Sequence, residues 1–241
     1  MEKDRENERK GNGIFLGIVG VATLIVAIIG ASFAYFSAQA ASAEGAVNLT
    51  AYEFNASLSL REIYPSNAKL IPVDPVGEVE VEGATAPNDT NLAYALNVAE
   101  RCTDDQGYKI CALYEVTVTN GGSSQLTLDG KIITNTNVAA SRTGASAFTN
   151  LQYRPVTYDE TNEIYTIGNT ATTLVQTENG VTSIGTITVA ANSSAKAYVL
   201  IYLNDNGNQS AEMGATYTGQ IAYISQDGTG SQLTGIFNLS S

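Results

Sequence analysis

The sequence predicts an all-β protein: an antiparallel two-sheet sandwich, jelly-roll-like or of a related Greek-key type, with one short helix and preceded by an N-terminal membrane helix. Three observations predict it. An apolar stretch without a charge runs from Ile14 to Phe36, 23 residues in all. Beyond Ala43 the chain is rich in Thr, Asn, Val, Ile, Tyr, Gly and Ala, in short runs that alternate apolar and polar residues with period two. Turn-forming residues separate those runs, and no repeat of solenoid or propeller length is visible. The chain therefore divides into a cytoplasmic n-region (1–13), a signal peptide or transmembrane helix (14–36), a small-residue cleavage or linker region (37–46) and a β-sandwich domain (47–241).

The apolar stretch comes first. At about 1.5 Å per residue it is long enough to cross a hydrocarbon layer of about 30 Å. It lacks the polar stripe of a helix that packs on a soluble core. Lys3, Arg5, Arg9 and Lys10 precede it, and no cation follows until Arg61. The positive-inside rule then places the N-terminus in the cytoplasm and everything past Phe36 outside. Small residues follow at once and offer A-x-A cleavage sites at Ala38 to Ala40 and at Ala41 to Ala43, yet the apolar run is longer than an ordinary signal core. Two outcomes stay open: cleavage, which releases an extracellular domain, and retention as a single-pass anchor.

The exported elements follow in order. Val47 to Leu60 reads as a first strand. In GEVEVEG, Val79 and Val81 face one way and Glu78, Glu80 and Glu82 the other, so one face is buried and one wet. TNLAYALNVAER is the single exported helix candidate, with Leu92, Ala95, Leu96 and Ala99 on one face and Thr90 as N-cap. Tyr114, Val116 and Val118 alternate with Glu115, Thr117 and Thr119. Further strands are expected at Gln125 to Thr134, Leu151 to Thr157, Ile164 to Gly168, Thr172 to Thr177, Ile184 to Ala190, Ala195 to Asn204, Thr216 to Ser225 and Thr234 to Leu239. Asn120-Gly121-Gly122, Asp129-Gly130, Asn179-Gly180, Asn206-Gly207 and Asp227-Gly228 supply the turns.

Composition limits the chemistry. There is no His, which removes HExxH metal sites, Ser/His/Asp and Cys/His relays and the usual neutral-pH base. Net charge is −12, and the first ten residues cancel among themselves, so the exported part carries all of it. Nucleic acid and anionic lipid surfaces are thereby disfavoured as partners. Cys102 and Cys111 flank TDDQGYKI, whose Gly107 supports a chain reversal. An exported chain with an even cysteine count favours a disulfide there, and a zinc site lacks two further soft ligands.

Other motifs read as ordinary structure. Ser66 to Lys69 and Ser193 to Lys196 match S-x-x-K, but the second begins a strand, where the two side chains oppose each other, and no SDN or KTG element accompanies either. Asp104 and Asp105, and Asp205 with Asn206 and Asn208, lack the order of a calcium loop and read as solvated turns. Asp159, Glu160 and Glu163 sit in a turn between strands, an unsuitable place for paired hydrolytic carboxylates. Tyr94, Tyr108, Tyr114, Tyr198, Tyr202, Tyr217 and Tyr223 read as half-buried strand tyrosines, with glycan-binding or subunit-binding stripes as the functional alternative. No catalytic, cofactor-binding or metal-ligating residue is assigned.

Gly30-Ala31-Ser32-Phe33-Ala34-Tyr35-Phe36-Ser37 resembles the end of the export signal cut by the ER-type signal peptidase of Gram-positive bacteria. Arg101 to Asn120, RCTDDQGYKICALYEVTVTN, is similar to the two-cysteine loop and following strand of TasA/camelysin-like exported proteins that carry this signal. Tyr198 to Phe237 resembles their C-terminal strands, and together these stretches cover roughly a third of the chain. The resemblance implies a jelly-roll domain, export, a signal peptidase as processing partner and, in biofilm-fibre members, polymerisation by donating an N-terminal strand to a neighbour. Cleavage after Ala40 or Ala43 would free AVNLTAYEFNASLSL, whose Val47, Leu49 and Ala51 form a candidate donor strand. The same segment can equally fold back as the chain's own first strand. A protease activity described for camelysin has no histidine-based metal motif here and is not carried over.

The sequence thus points to a non-enzymatic cell-surface or matrix structural protein, a biofilm-fibre subunit in the reading that the resemblance implies. Its alternative is an anchored, adhesin-like module for glycan or protein.

Overall fold

The computed structural model describes residues 55–75, 91–98, 101–226 and 230–241. The apolar stretch 14–36, the cleavage region with Ala38, Ala40, Ala41 and Ala43, the candidate donor residues Val47, Leu49 and Ala51, the GEVEVEG run, Thr90, Ala99 and the Asp227-Gly228 turn lie outside them. No helix among the described residues is long and apolar enough to cross a membrane.

Two sheets form a sandwich, as the alternating pattern requires. The strands are β1 (Ala56–Glu62), β2 (Pro72–Val73), β3 (Cys111–Asn120), β4 (Leu126–Val138), β5 (Leu151–Asp159), β6 (Ile164–Ile167), β7 (Thr172–Thr173), β8 (Val181–Val189), β9 (Ser193–Asn204), β10 (Thr216–Ser225) and β11 (Gln232–Ser240). A helix, α1 (Asn91–Asn97), lies between β2 and β3. The first sheet runs β1-β3-β9-β5-β6, with β2 on β9 and β7 on β5; the second runs β11-β10-β4-β8. Pairing is antiparallel throughout the described strands except where Pro72 and Val73 of β2 meet the end of β9 in parallel.

Alternation decides what lies between the sheets. Leu58 of β1, Tyr114, Val116 and Val118 of β3, Leu151 and Tyr153 of β5, and Val199, Ile201 and Leu203 of β9 point inward from the first sheet. Leu128 and Ile132, Tyr217, Ile221 and Tyr223, and Leu233, Phe237 and Leu239 meet them from the second. Tyr114 and Phe237 join the layers with ring centroids 5.0 Å apart. Gly235 lets β11 approach β1: a Cβ there would fall 2.8 Å from Leu60 Cβ.

A second core lies on the opposite face of the first sheet. Leu92, Ala95 and Leu96 of α1 pack there with Val73, Cys102, Ile110, Cys111, Leu113, Val156, Leu200 and Tyr202. The early residues of β3 and the late residues of β9 are therefore buried on both faces, and their sequences, CALY and VLIYL, lose strict alternation.

Several expectations need correcting. The expected first strand is not among them: 47–54 of Val47 to Leu60 lie outside the described residues, and the described part is strand from Ala56, paired with β3 of its own chain. Asp129-Gly130 is no turn. It lies inside β4, where the register with β8 shifts between Gly130 and Lys131 opposite Gly185. Gly185 takes φ +94°, which the bulge uses. Thr172 to Thr177 shrinks to the two residues of β7, because Thr134 and Thr182 turn their side-chain hydroxyls to the backbone of Val175 in place of a strand partner. The two-residue β2 carries no periodic signal and was not expected. The strand at Thr216 to Ser225 matches β10, and Asn179 adopts φ +60° in the predicted Asn-Gly turn.

Candidate functional site

The predicted disulfide is present. Cys102 and Cys111 are bonded with Cα atoms 5.1 Å apart, and both are fully buried. Cys102 adopts φ +54°. Its N–H and that of Arg101 donate to Ala95 O, while its own carbonyl accepts from Ile110 N–H at 3.0 Å. The bridge thus ties the end of α1 to the start of β3. Asp104 Oδ1 accepts the N–H groups of Gln106 and Tyr108 and shapes the intervening loop, so this acidic pair is a turn and holds its own backbone.

The remaining motifs also fall where turns and strands need them. Asp205 Oδ1 accepts Gly207 N–H, and Asn208 Oδ1 accepts from Ser210. Asp159 Oδ1 accepts Thr161 N–H in the β5–β6 hairpin, and these hydrogen bonds, led by that from Asn162, hold the carboxyl below its ordinary range. Ser66 Oγ accepts Ala68 N–H at 3.0 Å. Among the described residues, no group of three or more His, Cys, Asp or Glu is placed to hold a metal.

Two surfaces stand out. One is a cluster on the outer face of the first sheet, which sequence reasoning assembled only in part. Tyr158 of β5, Tyr165 of β6 and Tyr198 of β9 bring their rings together, with centroids 4.5 Å apart for Tyr158–Tyr165, 5.9 Å for Tyr158–Tyr198 and 5.8 Å for Tyr165–Tyr198. Next to them Glu115 of β3 accepts from Arg61 at 3.2 Å, from Lys196 at 3.1 Å and from the Tyr198 hydroxyl at 3.2 Å. Partial burial pushes the Glu115 carboxyl upward, but the hydrogen bonds from Lys196 and Arg61 outweigh it and leave the carboxyl below its usual range. Burial first, and the adjacent carboxylate second, raise the Tyr198 phenol, so it stays protonated and donates. The signal for Tyr158 and Tyr165 was the short hairpin between them, which makes them a cross-strand pair. Of the tyrosines named from sequence, Tyr114, Tyr202, Tyr217 and Tyr223 are buried, Tyr94 and Tyr198 are half-buried, and Tyr108 is exposed.

The other surface is a sheet edge. Asn55 O accepts Gly121 N–H and Ile63 N–H donates to Leu113 O at the two ends of β1. Antiparallel ladders alternate, so odd-numbered residues of β1 bond to β3 while Ala56, Leu58 and Leu60 turn their N–H and C=O outward. Among the described residues no strand lies beyond them. The other edges are interrupted to different degrees. Asn97 at the end of α1 donates to Tyr165 O at 2.9 Å and accepts Tyr165 N–H at 2.7 Å, taking the place of a further strand beside β6. β8 carries the bulge at Gly185, and Ser240 O of β11 accepts Leu70 N–H. β1 and β11 lie side by side at Gly235. Near that seam a cavity of about 400 Å³ is lined by Glu62, Lys109, Leu70 and Asn238, among others, with a Lys109–Glu62 ion pair of 2.7 Å.

Neither a protein family nor a curated protein matches the sequence. Similar solved structures are distant. A FixG-related protein from Vibrio parahaemolyticus aligns with a TM-score of 0.35 at 8% identity, over 78% of this chain and 96% of its own. A human ASH/PapD-like domain aligns with a TM-score of 0.27 at 8% identity, over 79% of this chain and 87% of its own. A family 123 glycoside hydrolase from Clostridium perfringens gives 0.28 at 10% identity, over 54% of this chain and 20% of its own length. At such scores function has to be argued from the residues of this chain.

Proposed function

We propose that this chain is an exported, non-enzymatic β-sandwich of a Gram-positive-type bacterium that works at the cell surface or in the extracellular matrix, as a subunit that assembles by strand addition. The observation that carries the reading is the β1 edge. Among the described residues Asn97 clamps β6, a bulge interrupts β8 and Leu70 caps one end of β11, whereas β1 presents a regular row of outward N–H and C=O groups along its whole length. Such a row is a template for another strand. Val47, Leu49 and Ala51 of a neighbouring copy have the alternation to fill it. The segment 14–36 serves as the export signal, and the buried disulfide suits an oxidising exterior.

Protein recovered from the surface of the producing cell tests this. Mass spectrometry is expected to find an N-terminus at Ala41 or Glu44, and electron microscopy to find filaments that lengthen with concentration. Monomers at every concentration would sink the assembly reading, and an intact N-terminus in the membrane fraction would make the protein an anchored one.

A further inference from the structure

We propose that the outer face of the first sheet is a binding site for a neutral polysaccharide, with Tyr158, Tyr165 and Tyr198 as its platform. Pairing lays this face out in rows. Arg61, Glu115 and Tyr198 stand opposite one another on β1, β3 and β9; the next row holds Ser59, Thr117 and Lys196; the third holds Ser57, Thr119 and Ser194. Thr119 and Ser194 share a hydroxyl hydrogen bond of 2.8 Å. Beside the part of the face that α1 covers, these rows form a field of hydroxyls and fixed charges, with the half-buried aromatic trio at the border of the α1 core.

That chemistry matches a sugar chain. Tyrosine rings offer an apolar surface to the C–H face of a pyranose, and the hydrogen bond from the Tyr198 hydroxyl to Glu115 holds one ring of the platform in place. Glu115 supplies a fixed acceptor, while Arg61 and Lys196, with 62% and 46% of their side chains exposed, have donors to spare. The platform is preorganised, because Asn97 clamps the backbone of Tyr165 and Tyr198 stands on a strand paired on both sides. Charge selects among ligands. Arg61 and Lys196 are balanced by Glu115 and by Glu160, whose field reaches Tyr198. These four groups beside the trio therefore cancel in a chain of net charge −12, which disfavours nucleic acid and anionic glycans. A protein partner would call for an apolar centre, and the rows beyond the tyrosines are hydroxyls.

Affinity electrophoresis of the full exported protein tests the proposal, using gels that contain laminarin, hydroxyethylcellulose, dextran or galactomannan, with alginate and heparin as anionic comparators. Retardation is expected in at least one neutral gel and in neither anionic one. Tyr198→Ala and, independently, the more peripheral Tyr158→Ser are expected to weaken it fivefold or more, each checked for an unchanged circular dichroism spectrum. Tyr108→Ala, at an exposed ring remote in sequence from the trio, is expected to leave it unchanged. No retardation in any neutral gel, retardation by the anionic polymers alone, or equal retardation of wild type and both platform variants would overturn the proposal. It does not rest on assembly: a protein that stays monomeric and is retarded fails the one reading and supports the other.

Discussion

Single residues set one close approach and one charge contact in this sandwich. At Gly235 a Cβ would lie 2.8 Å from Leu60 Cβ and 2.9 Å from Leu60 Cδ2. Gly235→Ala is therefore expected to force β1 and β11 apart and to cost about 1–3 kcal/mol, the usual range for overpacking, read as a lower urea midpoint with unchanged slope. Glu115 gives a second prediction, with a definite sign. Its carboxyl is held below the ordinary range by Lys196 and Arg61 despite partial burial. A depressed carboxyl contributes stability that is present above the unfolded-state value and is lost as pH falls through the lower folded-state value. Glu115→Gln should remove that part of the acid-side slope, so wild type and variant should differ in thermal midpoint at pH 7 and converge in strong acid. A constant difference across that window would count against the three-way contact as its source.

At the scale of elements, the disulfide and α1 act as one unit. The helix has seven residues, too few to persist alone, and it holds its place by burying Leu92, Ala95 and Leu96 and by handing its last turn to Cys102. Replacing both cysteines by serine should remove about 2.5–3 kcal/mol, the loop-closure value for so short a ring. Amide exchange should accelerate first in α1 and the loop 103–110, with β10 remaining protected; uniform loss of protection would show that the bridge supports the whole sandwich. This junction was legible beforehand, because the helical face of Leu92, Ala95 and Leu96 and the paired cysteines are both local signals. β10 was legible for the same reason. The pairing of β2 with β9, the shortening of β7 and the burial of Asp129-Gly130 inside β4 were not, because each is decided by a partner far away in sequence. The aromatic cluster was half legible. Tyr198 was named, but Glu115, Arg61 and Lys196 come from three different strands and meet only once register is set.

At the scale of the molecule, the proposed assembly by strand addition turns on the β1 edge. The outward side chains beside that edge, Ser57, Ser59 and Arg61, are polar, which keeps the edge wetted, but polarity leaves its main-chain groups available. Ala56 separates the two properties. Its N–H points away from β3, so a proline there removes an outward donor without removing a ladder bond, and the first position of an edge strand tolerates the ring. Ala56→Pro should therefore keep the thermal midpoint within a few degrees while lowering the extent of assembly, measured as the sedimenting fraction of the surface-released protein. Ser57→Lys should weaken assembly less, because a lysine can swing aside whereas a missing N–H cannot be restored. A folded Ala56→Pro protein that assembles like wild type would show that growth uses another edge. The β11 side of the seam would then come next, since Thr234, Ile236 and Asn238 turn their main-chain groups outward beside the capped Ser240.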